Sequence, residues 1–195
     1  MTQIAALYVA EGGCYTDLPG VDAWTESRDA RLYDGPWPVV AHPPCARWCQ
    51  LAHVNQARYG LEVGDDGGCF DHALGCVFRF GGVLEHPAFS YAWERFGLLR
   101  PVHGCWQQDM HGGYWVTQMS QAAYGHRARK LTWLLYSGLS APPALDWSQP
   151  EATAQVSYGK KPGGGYWRDP LTKKQAKATP IQFRDLLISM ARGAR

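Results

Sequence analysis

The chain has 195 residues, enough for one α/β domain or one domain with a tail, and its 46% hydrophobic, 18% charged composition with nine tryptophans excludes a disordered chain. No run reaches the roughly 18 consecutive apolar residues of a membrane span, and Met1 to Leu7 lacks the basic and long apolar regions of an export signal. The net charge of +2 conceals an asymmetry: residues 1–150 hold ten Lys/Arg against fourteen Asp/Glu, and residues 151–195 hold nine against three. A basic end segment on an acidic body points to a polyanion partner or to a solvated tail.

In chain order, "IAALYVAEGGCYTDL" starts as a buried strand, Ile4 to Val9, and turns at Gly12-Gly13. "DGPWPVVAHPPC" carries a second strand, Pro38 to Ala41, stopped by the proline pair. "CARWCQLAHVNQARYG" reads as a helix with Leu51, Val54 and Tyr59 on its buried side and Gly60 at its end. After a turn-rich loop, "CFDHALGCVFRFG" places Phe70, Leu74, Val77 and Phe78 at helical spacing. "GVLEHP" is a short strand and "AFSYAWERFG" a weaker helix. "YWVTQMSQAAYG" alternates in part, and "RKLTWLLYSG" has strong β character. From Pro142 to about Thr179 the chain is irregular, including the Gly-rich "GKKPGGGYWRDP". "TPIQFRDLLISMAR" closes it as a helix, with Thr179 as N-cap and Phe183, Leu186, Leu187 and Met190 on one stripe.

Strands alternating with helices predict a mostly parallel sheet flanked by helices, with sites at the carboxyl ends of the strands. "EGGC", "AHPPC" and "LEHP" all follow strands and are expected to converge. Residues 1–150 form the expected core, and residues 151–195 a basic loop and a helix packing back on it. Six cysteines without regular spacing, and no export signal, suggest reduced thiols in a cytoplasm.

Cys45 follows Pro43-Pro44, which holds the lead-in extended. At a helix N-terminus its thiol would be acidified by unpaired amides and the dipole, and so be presented as a nucleophile. A small residue tucked under the helix is the plain alternative. A metal reading uses Cys45, Cys49 and His53 on one helical face. Their span of roughly 12 Å is long for one zinc ion.

Together these segments resemble the cytosine-C5 DNA methyltransferase family, in its small phage- or prophage-encoded form. "AHPPCARW" resembles the family's Pro-Pro-Cys loop, "LYVAEGGCYTDL" its glycine loop around S-adenosylmethionine, "VLEHP" its strand-end acidic element, and "YGHRARKLTWLLYSG" its later arginine-bearing element. The resemblance implies a Rossmann-like, methyltransferase-like fold, truncated in the cofactor half and without a separate target-recognition domain. It implies Cys45 as the nucleophile at C6, and Glu85 as a burial-raised acid at N3. Arg127 and Arg129 would lie at O2. Tyr8, Gly12, Gly13, Asp29 and Pro43 would surround S-adenosylmethionine, with Asp22 as another candidate for the ribose. "KKPGGGYWR" would track phosphate through Lys160, Lys161 and Arg168. Trp48, Trp93, Trp106, Trp115, Trp133 and Trp167 are stacking candidates, most of them more readily core.

The expected function is therefore pyrimidine C5 modification, with DNA or a pyrimidine nucleotide as partner and no membrane, in a bacterial host cytoplasm. The alternatives are hydroxymethylation of a nucleotide with folate, an inactive nucleic-acid-binding relative, and a zinc-binding protein.

Overall fold

The computed structural model describes residues 3–156 and 160–195. Its sheet has seven strands in the order β2-β1-β3-β4-β7-β6-β5. In chain order these are β1 (Ile4–Leu7), β2 (Val21–Trp24), β3 (Val39–Ala41), β4 (Gly82–Pro87), β5 (Gln107–Gln108), β6 (Trp115–Ser120) and β7 (Leu131–Ser137). A two-stranded annex pairs β8 (Ala154–Gln155) with β9 (Asp169–Pro170). The helices are α1 (Ala52–Tyr59), α2 (Cys69–Phe80), α3 (Tyr91–Arg95), α4 (Lys173–Lys177) and α5 (Ile181–Arg192), with 3-10 turns at Ala30–Leu32 and Gln121–Tyr124. Among the described residues no helix is long and apolar enough to cross a membrane.

β2, β1, β3 and β4 run parallel, β7 returns antiparallel to β4, and β6 and β5 continue antiparallel. The result is a mixed α/β fold with a mostly parallel central sheet flanked by helices. Side chains alternate between its faces, as strand geometry requires. Ala5, Leu7, Val39, Ala41 and Leu84 pack with α2, whereas Ile4, Ala6, Val40 and Val83 pack with α5. Both faces are dry, which is why β1, β3 and the first half of β4 read as continuous apolar runs. Only a 3-10 turn separates β2 from β3. Gly82 opens β4 at φ 128°, and a Cβ there would lie 2.0 Å from the Val39 carbonyl oxygen. The residue is glycine because β3 approaches that closely.

Helix α2 buries Phe70, Ala73, Leu74, Cys76, Val77 and Phe80, while Phe78 faces out. Helix α5 buries Phe183, Leu187, Ile188 and Met190, and its cap is Pro180 where Thr179 was expected. The helix predicted to start at Cys45 begins only at Ala52. Leu51, Val54 and Tyr59, predicted to be its buried side, are exposed. Trp48 explains the difference: its ring enters the core against Phe70 and Phe96, and its Nε1 donates to Asp66 at 2.8 Å. That anchor holds residues 45–51 in turns ahead of the helix.

Candidate functional site at the strand ends

The sheet register sets Leu7, Ala41 and Leu84 side by side, so Tyr8 and His42 leave β1 and β3 beside Glu85, where β4 runs on paired with β7. Tyr8 has φ 60° and packs against the α2 side, where its hydroxyl lies 2.9 Å from His72 Nδ1. His42 and Glu85 meet each other, with Nδ1 2.9 Å from Oε2. The other imidazole nitrogen lies 2.9 Å from the Tyr15 hydroxyl. Glu85 Oε1 accepts from Gln121 Nε2 at 3.0 Å, and the same amide donates to Thr132 Oγ1 at 2.9 Å. One buried network thus ties the loop after β1, the loop after β3, the end of β4 and the β6–β7 connection.

Burial alone would raise the Glu85 carboxyl, the shift expected from the sequence. The hydrogen bond from His42 and the charges of Lys130 and His42 outweigh it and hold the carboxyl well below the usual carboxylate range. Glu85 is therefore ionised at neutral pH, only 8% exposed, with both oxygens engaged inside the chain. This corrects its expected role as a proton donor. Beside an ionised Glu85, His42 donates through Nδ1 to Oε2, and its Nε2 meets the Tyr15 hydroxyl. Burial pushes the Tyr15 phenol well above its ordinary value, so it stays protonated. His86 is fully buried, stacks on Trp93, and is pushed down to about 4 by burial, which keeps it neutral.

Pro43 is buried, Pro44 exposed, and Cys45 half-buried. The Cys45 carbonyl accepts the amides of Trp48 at 3.0 Å and Cys49 at 2.9 Å, a single helical turn rather than a helix start. The expected acidification by a helix dipole therefore has no source. Burial pushes the thiol up, and the Cys49 and Glu85 charges push it further, while Lys130 pulls it down. The correction is one of sign: in the free protein Cys45 is held as a thiol. It nonetheless lies close enough to Glu85 and Lys130 to feel both charges.

Arg127 and Arg129 are exposed, with the buried Ala128 between them. The cation acting on both Cys45 and Glu85 is Lys130, the next residue along. Sequence reasoning did not single out Lys130, Tyr15 or Gln121. The one local signal was the position of His42, directly before Pro43-Pro44 at a strand end.

The residues expected around a methyl donor form the turn but not the polar grip. Gly12 has φ 58°, and the Gly13 amide donates to the Ala10 carbonyl at 3.0 Å. Both Asp29 oxygens are held by Arg31, Oδ1 by its backbone amide and Nε and Oδ2 by Nη2. Asp22 is taken by Trp24 and Arg28. Both carboxylates already hold partners from their own loops and the Tyr8 hydroxyl lies against His72, so a ribose here would share or displace these bonds.

The metal alternative fares no better: His53 is exposed with its ring edge against Tyr91, and among the described residues no group of three His, Cys, Asp or Glu side chains is placed to hold an ion. Of the stacking candidates, Trp48, Trp93 and Trp133 are core residues, whereas Trp167 is exposed. His126 is buried, with its Nδ1 2.8 Å from the Ala128 carbonyl oxygen. A depression of about 510 Å³ is lined by Trp48, His53, Tyr91 and Arg95 and contains none of Cys45, Glu85, His42 or Lys130.

Compared with protein-family models, curated proteins and solved structures, the chain matches none.

Proposed function

We propose that the chain modifies a pyrimidine at C5, cytosine in DNA first among the substrates, with Cys45 as the attacking group. The reading rests on one observation. A half-buried thiol, held after two prolines just beyond the carboxyl end of β3, lies in the same loop as His42, whose ring is bound to the buried Glu85. Sites of α/β sheets lie at that edge, and perturbed titratable groups gather at such sites.

C5 of a pyrimidine is a poor nucleophile. As the Cys45 sulfur bonds to C6 it gives up its thiol proton, the C5=C6 π pair becomes C4=C5, the C4=N3 pair moves to N3, and N3 takes up one proton in exchange, so the addition is neutral overall and C5 becomes an enamine carbon. Lys130 supplies the positive charge that this anionic path requires, the part expected of the arginines. Glu85 does not donate the proton. It orients His42 and, through Tyr15 and Gln121, fixes the loops that carry the reacting groups. S-adenosylmethionine is the donor implied by resemblance, in a Rossmann-like fold with a reduced cofactor half and no separate target-recognition domain.

The test needs no donor, because reversible addition at C6 lets C5 exchange hydrogen with water. Wild-type protein is expected to release label from an oligonucleotide carrying C5-tritiated deoxycytidine, and Cys45→Ser to release none. Equal release by both removes the reading. A thermal shift with S-adenosylmethionine but not with a folate would identify the donor.

The elevated thiol and the committed Glu85 favour one second reading, a nucleic-acid-binding relative without catalysis. It predicts DNA binding with no exchange.

A further inference from the structure

The annex beyond residue 148 is tied to the site by a short stretch of chain. The Arg127 carbonyl accepts the amides of Thr153 at 2.9 Å and Ala154 at 3.0 Å. Ala128 turns inward to join Ala154 and Leu171 in a small apolar cluster, with Ala176 packed on it. Arg127 and Arg129 are exposed, while the Lys130 carbonyl accepts the amide of Gln121 at 3.0 Å, the residue whose side chain holds Glu85. One peptide bond separates the outward-facing Arg129 from the Lys130 of the site.

Arg129 lines a cavity of about 460 Å³ that is bounded on the other side by residues 149–152 and 154–156, Trp167 and Arg168. Trp167 is 64% exposed, so its indole contributes little to the core. Lys161 Nζ lies 5.5 Å from the centre of that ring. Arg168 is oriented by the Ala152 carbonyl and by Glu151, whose carboxylate is 3.3 Å away. Lys160, Lys161, Arg168, Lys173, Lys174 and Lys177 crowd residues 149–178 against only Glu151 and Asp169, and Arg129 adds to them from the groove's lining. The three lysines of α4 are exposed, because only Ala176 of that helix packs on the cluster.

An exposed aromatic ring among cations is a platform for an unpaired base whose phosphates follow the positive charge. A duplex offers phosphates to such a surface but no free base face. We propose that this groove binds single-stranded DNA, with a base on Trp167 and phosphates on Arg129 and Lys161. The Arg129–Lys130 link then leads the next nucleotide toward Cys45. The inference rests on the C5 reading and narrows it, because the substrate becomes a polymer strand rather than a free nucleotide.

The test is fluorescence anisotropy with an end-labelled deoxycytidine oligonucleotide of roughly twelve nucleotides, within the usual site sizes for single strands. The same strand annealed to its complement and an RNA of equal length serve as rivals, with deoxycytidine monophosphate as competitor. Single-stranded DNA is expected to bind most tightly. Trp167→Ala is expected to weaken it about tenfold, within the range for one lost stacking contact. Arg129→Ala should lower the slope of log affinity against log salt by about 0.7, the value for one phosphate contact on a single strand. Trp167→Phe should restore most of the loss, which separates stacking from misfolding. The proposal is overturned if duplex or RNA binds as tightly, or if Trp167→Ala and Arg129→Ala both bind as wild type. Strand binding without C5 exchange would keep the groove and remove the catalytic reading. Exchange on the free nucleotide without strand binding would do the reverse.

Discussion

Replacing Glu85 tests the buried network most severely. Glu85→Leu deletes both acceptors at once, the oxygen held by His42 at 2.9 Å and the oxygen held by Gln121 at 3.0 Å. It leaves two donors facing an apolar side chain at a site that is 8% exposed. Breaking a buried pair in this way costs about 3–5 kcal/mol. For a chain of this length that is a fall in Tm of roughly 6–20 °C. Glu85→Gln keeps one acceptor and the shape, so about 1–3 kcal/mol is expected. The pH dependence carries the sign. The folded carboxyl lies below its ordinary value near 4.5, so the unfolded chain binds more protons as the medium acidifies. The contribution is complete above that ordinary value and fades as pH falls toward the folded one. Urea denaturation at pH 7 and at steps below 5 should therefore show wild type losing stability that Glu85→Gln does not lose. The reasoning is refuted if Glu85→Gln unfolds within about 0.5 kcal/mol of wild type and follows the same acid profile.

Two further outcomes follow from other parts of the molecule. Peptide-mapped alkylation should find Cys45 slower than the exposed Cys105 at pH 7, with a rate midpoint above the ordinary thiol value of 9.0. Lys130→Met should move that midpoint higher, and a midpoint below 9.0 in wild type would contradict the electrostatics. Gly82→Ala places a methyl group against the Val39 carbonyl and should cost about 3 kcal/mol, read by thermal denaturation. An unchanged Tm would show that β3 and β4 can part there.

The strands and the two long helices were legible because their signals are local. Val39–Ala41 is an apolar run stopped ahead of a proline pair, Gly82–Leu84 is one that precedes Glu85-His86-Pro87, and α2 and α5 carry one apolar stripe each. The start of α1 was not legible, because Trp48 is drawn into the core by Asp66, eighteen residues away, and overrides local propensity. The convergence of the strand-end loops was legible, since a parallel register brings the carboxyl ends together whatever the side chains are. The partners there were not. Glu85 looked like an acid in waiting because burial raises a lone carboxyl, but the bond from His42, 43 residues away, and the charge of Lys130 reverse the shift. Lys130 stood next to two arginines that matched a pattern better. Only the inward turn of Ala128 decides which of the three cations serves the site and which face the groove.

The central claim is that Cys45 adds to C6 of a pyrimidine, and an adduct that cannot resolve reads it directly. Incubated with a single-stranded oligonucleotide carrying 5-fluorodeoxycytidine and the donor found by thermal shift, wild-type protein should gain the mass of one oligonucleotide under denaturing conditions. Peptide mapping should place that mass on Cys45, and Cys45→Ser should gain nothing. No adduct on wild type, or one on another residue, would contradict the account.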